Sequence, residues 1–209
     1  MSSIFSDPSF VRGRTLASGD FGDAQTNPAQ PDVMGSSVVG QIKAFQDVAV
    51  GGISINGTAV IPGTLLSNRL VYCQAVRYRG ADLLDASTIA GTAFVVDLAL
   101  ENGKPFCQIS AAATNANVAA GREYGVVDEY LTGALRQNDV IWIVRKGPCS
   151  VKQAGATAIT SGAGVELTGS AGKIQALASG SSLGINILGA NSAATADTNV
   201  RVNLIADDI

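Results

Sequence analysis

The 209-residue chain contains no histidine. Every Ser-His, Cys-His and His–zinc arrangement needs an imidazole as base or ligand, so most hydrolase and metalloprotease schemes are excluded at once. Charge is scarce too, at 15% of residues against about 25% in ordinary globular chains. Fourteen Lys and Arg against seventeen Asp and Glu leave a formal charge of -3, which gives little long-range attraction for a phosphate backbone. The three cysteines, Cys73, Cys107 and Cys149, are odd in number and widely spaced, fitting neither a disulfide framework nor a zinc ribbon. No stretch approaches the roughly 18 apolar residues of a membrane helix. The opening Met1–Pro8 has neither the basic nor the apolar region of a secretory signal. These absences describe a soluble protein of a reducing compartment, with buried thiols, no metal or other cofactor, and no membrane or nucleic-acid partner.

What the chain does have is glycine, 24 residues, and 46% hydrophobic residues. Residues 1–37 stand apart from the rest. They hold three of the six prolines (Pro8, Pro28 and Pro31), and no helical or strand period survives for more than a few positions. Yet Phe5, Phe10, Val11, Leu16 and Phe21 are too apolar for a solvated linker. An extended N-terminal arm that seats aromatics on another surface accounts for both facts, with Phe5, Phe10 and Phe21 as its anchors.

Residues 38–209 form the body. Val38, Ile42, Ala44, Val48 and Val50 share one parity, opposite Gln41, Lys43 and Asp47, as a strand would place them. Leu70–Arg79 alternates as a strand. Phe94, Val96, Leu98 and Leu100 mark one face of another, which stops at Asn102-Gly103, the preferred pair for a tight hairpin. A return strand runs through Phe106–Ile109, with Pro105 expected at its start or on an edge. Val140–Val144 is continuously apolar, as in a strand covered on both faces. Arg145–Pro148 is expected to turn the chain. Short strands follow near Val165–Leu167, Ile174–Leu177 and Ile185–Leu188, and the last has Val200, Val202 and Leu204 on one side. Gly125–Leu135 fits a helical stripe as well as a strand. The expected fold is therefore all-β: a β-sandwich or barrel, jelly-roll-like, with an extended arm.

The strings that could carry chemistry lack their partners. Gly180–Gly184 matches G-x-S-x-G but has no histidine to take the serine proton, and Ser170–Lys173 matches S-x-x-K without its companion elements. Asp128-Glu129 and Asp82 with Asp85 read as solvated surface. Arg77-Tyr78-Arg79 is too short to be a nucleic-acid groove and reads as a strand end with salt bridges. No catalytic residue emerges, which leaves self-assembly and partner binding.

Three segments carry a resemblance. They are Glu123–Leu131 (EYGVVDEYL), Asn138–Pro148 (NDVIWIVRKGP) and Ala196–Leu204 (ADTNVRVNL), the last closing a run rich in Gly, Ala and Ser. Together they resemble the head-decoration, or cement, proteins of tailed bacteriophages, over roughly residues 120–209. The resemblance implies a non-enzymatic virion protein made in the host cytoplasm. It implies a homotrimeric β-rich body on the outside of the capsid, bridging subunits of the major capsid protein and bracing them against internal DNA pressure. A fibre or adhesin-like β-domain of a virion is the alternative, although no fixed-period repeat marks the chain.

Overall fold

The structure is a computed structural model that describes residues 12, 39–49, 54–55, 58–59, 61, 63–80, 84–101, 104–131, 134–155, 159, 164–169, 172–177, 185–187 and 199–204. The protein is all-β. The strands are β1 (Ile42–Val48), β2 (Ser54–Ile55), β3 (Thr58–Ala59), β4 (Leu65–Tyr78), β5 (Leu84–Asp85), β6 (Ala93–Glu101), β7 (Lys104–Ala112), β8 (Tyr124–Val127), β9 (Ala134–Leu135), β10 (Val140–Lys152), β11 (Val165–Leu167), β12 (Ile174–Ala176), β13 (Ile185–Ile187) and β14 (Asn199–Leu204). Among the described residues two short helices interrupt them, α1 (Ala86–Ile89) and α2 (Asn115–Ala119). A capping box at Thr114 and Asn117 starts α2.

Eight strands share one hydrogen-bonded sheet in the order β1-β4-β7-β6-β8-β10-β14-β13, and β4 also pairs with β10. That extra pairing closes β4, β7, β6, β8 and β10 into a ring, which realises the barrel alternative. All the ring contacts are antiparallel except β4 with β7. β1 prolongs the wall beside the first part of β4, and β14 and β13 extend it from the second half of β10.

Alternation along the wall sorts the apolar side chains into two cores. Val140, Trp142 and Val144 of β10 join Val71, Cys73 and Ala75 of β4 in one. Ile141 and Ile143 join Val76 and Tyr78 in the other. This is why Val140–Val144 has no polar member: both of its faces are covered. Trp142, 1% exposed, meets the Phe45 ring edge-on at a centroid distance of 5.5 Å.

The β6–β7 hairpin has the expected register, with Glu101 opposite Lys104 and Pro105 second in its strand. Its faces differ from the expected pattern. Leu98 is 78% exposed while Val95 is buried, because the hairpin runs beyond the ring and no described strand lies over Leu98. The face of β1 with Ile42 and Ala44 is likewise turned outward, and Asp47 is buried. The described residues within Gly125–Leu135 belong to β8, the turn after it and β9, and none is helical.

The expected turn at Arg145–Pro148 is absent. β10 runs straight through it, with a bulge between Val144 and Lys146 and a left-handed Gly147 at φ +97°. Bulge and glycine absorb the kink by which the strand leaves β4 and β8 and takes up β14. A Cβ on Gly147 would run into the Leu70 carbonyl oxygen. Gly147→Ala is therefore expected to cost at least about 2 kcal/mol, measured as a shift in urea midpoint. A cost below about 0.5 kcal/mol would mean that the two strands can separate freely at that point.

Candidate functional site: a buried arginine–carboxylate network

Strand β8 ends where Asp128 starts a tight turn. Leu131 N–H donates to the Asp128 carbonyl at 3.0 Å, and Tyr130 N–H donates to the Asp128 side chain at 3.3 Å. Aspartate suits that position because its side chain accepts from the backbone two residues on. The turn aims Asp128, Glu129 and the Tyr130 ring at one place. β14 delivers Arg201 there, since Arg201 lies opposite Ser150 in the β10–β14 register and points away from Val200 and Val202. β1 delivers Asp47.

The contacts form one chain of charges. Arg12 donates to both oxygens of Asp128, from Nη2 at 2.9 Å and from Nε at 3.3 Å, and its Nη2 lies 3.8 Å from Glu129 Oε1. Arg201 donates to Glu129 Oε1 at 2.6 Å and to Asp47. Ser67 donates to the other Asp47 oxygen at 2.6 Å, and the Ser150 N–H donates to Glu129. The Arg12 guanidinium carbon sits 4.8 Å above the Tyr130 ring, whose hydroxyl donates to the Val48 carbonyl at 3.2 Å. The side chains of Arg12, Asp47, Asp128 and Glu129 are at most 3% exposed. Two guanidinium groups against three carboxylates leave one negative charge, which the Ser67 and Ser150 donors help to spread.

Burial pushes the Glu129 carboxyl up, but Arg201, Arg12 and the Ser150 bonds outweigh it and hold the group below its ordinary value of 4.5. Burial also disfavours the charged form of each arginine, yet the neighbouring carboxylates more than offset this and raise both. Burial pushes the Cys73 and Cys149 thiols well up from 9.0, so both are packing groups and poor nucleophiles. Cys107 is half-buried.

The signs of these shifts define a stability plateau. Glu129 binds its proton less readily in the folded state, so its contribution is complete above about pH 4.5 and is lost as pH falls through the lower folded value. The two thiols bind theirs more tightly when folded, so their contribution is complete below pH 9.0 and is lost as pH rises beyond it. Urea midpoints from pH 3 to pH 10 are expected to fall at both ends. A midpoint flat below pH 4.5 would contradict the Glu129 assignment.

The expectation that Asp128-Glu129 is solvated surface is corrected: both carboxylates are interior and paired. A buried pair flanked by Val126, Val127 and Leu131 demands cations, but these lie 116 and 72 positions away in sequence. Phe5, Phe10 and Phe21, the expected arm anchors, lie outside the described residues, as does Gly180–Gly184. Arg12 alone is described among residues 1–37, and it is buried in the body. Tyr78 is 2% exposed, so its ring is closed to a nucleic-acid base. Gly172 turns the chain at φ +61° within Ser170–Lys173, a conformation that no helix start adopts.

The outer surface carries a second feature. Along the β1–β4 ribbon, Ile42, Ala44 and Gln46 lie opposite Gln74, Tyr72 and Leu70 on one face. Ile42 is 48% and Leu70 46% exposed, and Leu65 stands out at the start of β4. Among the described residues β1 pairs with β4 alone, which leaves its other edge open.

No protein-family model matches the chain, and no curated protein matches it in sequence. No helix among the described residues is long and apolar enough to cross a membrane.

Proposed function

We propose that this is a non-enzymatic structural protein of a virion, of the head-decoration class. It binds the outside of a phage capsid as a homotrimer and braces the shell by bridging subunits of the major capsid protein. The observation that carries this reading is the outward face of the β1–β4 ribbon with Ile42 and Leu70, beside a strand edge that no described residue pairs with. Exposed Ile42 and Leu70, set among Ala44, Tyr72 and two glutamines on a paired wall, offer a partner mixed apolar and polar contacts, and an open edge can accept a strand. The charged network supports the same reading. Its carboxylates are committed to arginines, which makes it a brace for the wall and not a proton-transfer site. Modest contacts suffice for this role, because repetition over a shell multiplies them.

The test is a titration of the full-length protein onto empty shells assembled from the major capsid protein of the same phage. Binding is expected to saturate at a fixed ratio of copies to shell, and the decorated shells should withstand more heat than bare ones. Absence of binding up to roughly 50 µM, well above the affinities of stable interfaces, would overturn the proposal.

A further inference from the structure

Strand β1 lies against its own hydrophobic pattern. Ile42, Ala44 and Gln46 are exposed, whereas Phe45 and Asp47 of the opposite parity are covered. A slip of one residue along β4 would set Ile42 opposite Ala75 and Ala44 opposite Cys73, on the inner face, and turn Asp47 outward. Burial of two aliphatic side chains and release of a carboxylate to water both favour that slipped register. Phe45, edge-on to Trp142, opposes it. The contacts that oppose the slip most specifically are polar.

They centre on Asp47. Between Gln46 and Val48 the partners on β4 jump from Leu70 to Leu65, so residues 66–69 stand against Asp47 alone. Ser67 Oγ donates to one Asp47 oxygen at 2.6 Å and itself accepts from the Arg69 N–H at 3.3 Å, and Arg201 donates to the other oxygen. Neither partner can follow a slip of β1, since Ser67 is placed by the bulge of β4 and Arg201 by its position opposite Ser150. The charge is also the one that the network can spare. Arg12 and Arg201 match Asp128 and Glu129 one for one, so Asp47 is the unmatched carboxylate. A buried ion whose loss leaves its neighbours balanced contributes little to stability, and fixing register is the best-attested use of such a group.

We propose that Asp47 is the positioning residue of the contact face. Held by Ser67 and Arg201, it locks the register of β1 on β4 and so keeps Ile42 outward beside Leu70. The lock stands on the ribbon alone, whereas its role in binding rests on the reading of that ribbon as the capsid contact.

The test reads register and binding separately, in the full-length protein. Ala44→Cys with Tyr72→Cys places two thiols directly opposite each other on the outer face, while the native Cys73 waits on the inner one. After mild oxidation, mass spectrometry of the digest shows which partner the cysteine at position 44 has taken. With Asp47 present, about nine in ten bonds should go to position 72. With Asp47→Ser added, at least about a third should go to Cys73, because the strand now samples the slipped register. An unchanged distribution overturns the proposal. Without the added cysteines, Asp47→Ser should melt within about 5 °C of the parent yet bind empty shells at least about tenfold more weakly, with Ile42 and Leu70 untouched. A shifted distribution with parental shell binding overturns the positioning role. A parent that binds no shell sinks the capsid reading instead, and the bond distribution then decides the lock by itself. If Asp47→Ser is insoluble, Ser67→Ala, which removes one donor, takes its place: at least about one bond in ten should move to Cys73, and none moving overturns the lock.

Discussion

Arg201→Met is expected to destabilise the folded protein by about 3–5 kcal/mol near neutral pH. Methionine keeps much of the side chain's length and packing but removes the charge. Glu129, Asp47 and Asp128 would then share the guanidinium of Arg12 alone, although these carboxylates are at most 3% exposed. The result separates charge from packing by its pH dependence. One carboxyl of the variant should take up a proton near neutral pH, because the buried site can no longer hold three negative charges. The gap between variant and parent should therefore narrow as the pH is lowered toward 4.5. Urea melts at pH 7.5 and pH 5 provide the check. A gap under 1 kcal/mol at both values would mean that the network contributes little to folding.

Trp142→Ala is expected to cost about 3–5 kcal/mol as well, for a different reason. The ring lies near the start of β10 with 1% of its surface exposed, and Phe45 of β1 packs against it edge-on. Deletion would leave a void between the ring wall and the β1–β4 ribbon, where strands paired on both sides have little freedom to close in. Because Trp142 lies in the core that also holds Cys73 and Cys149, both thiols should react faster with a thiol reagent in this variant. A loss under about 1 kcal/mol would show that the core relaxes around the gap.

Much of the fold was legible in the sequence because local rules decide it. Asn102-Gly103 could end a strand only in a tight hairpin, and Glu101 does lie opposite Lys104. The unbroken apolar run Val140–Val144 required cover on both faces, and two cores meet there. The alternation of Val200, Val202 and Leu204 survives in the burial of β14. What local rules could not supply was closure. The β4–β10 pairing that makes the ring joins Arg77 to Val140 and Cys73 to Val144, and no spacing in the chain encodes it. Arg145–Pro148 looked like a turn because a glycine and a proline stand together there. A bulge with a left-handed glycine uses the same residues to bend a strand without ending it.

The charged network was hidden for a related reason. Asp128 and Glu129 looked solvated because adjacent carboxylates on a strand point to opposite faces, and the fold brings Arg12, Arg201 and Asp47 to them from distant parts of the chain. The outward faces of β1 and of the β6–β7 hairpin were misjudged in the opposite sense. Their apolar residues promised a core, whereas Ile42 and Leu98 stand in the open. A face with exposed Ile42 and Leu70 that no described strand covers is the feature on which the functional proposal rests.

The most direct measurement is the binding of full-length Ile42→Asp/Leu70→Asp protein to empty shells, set beside the parent. Both positions are about half-exposed, so the pair should melt close to the parent while its apparent affinity for the shell falls at least about tenfold, the effect of losing some 1.4 kcal/mol of contact. A folded variant that binds as tightly as the parent would contradict the assignment of this face as the contact surface.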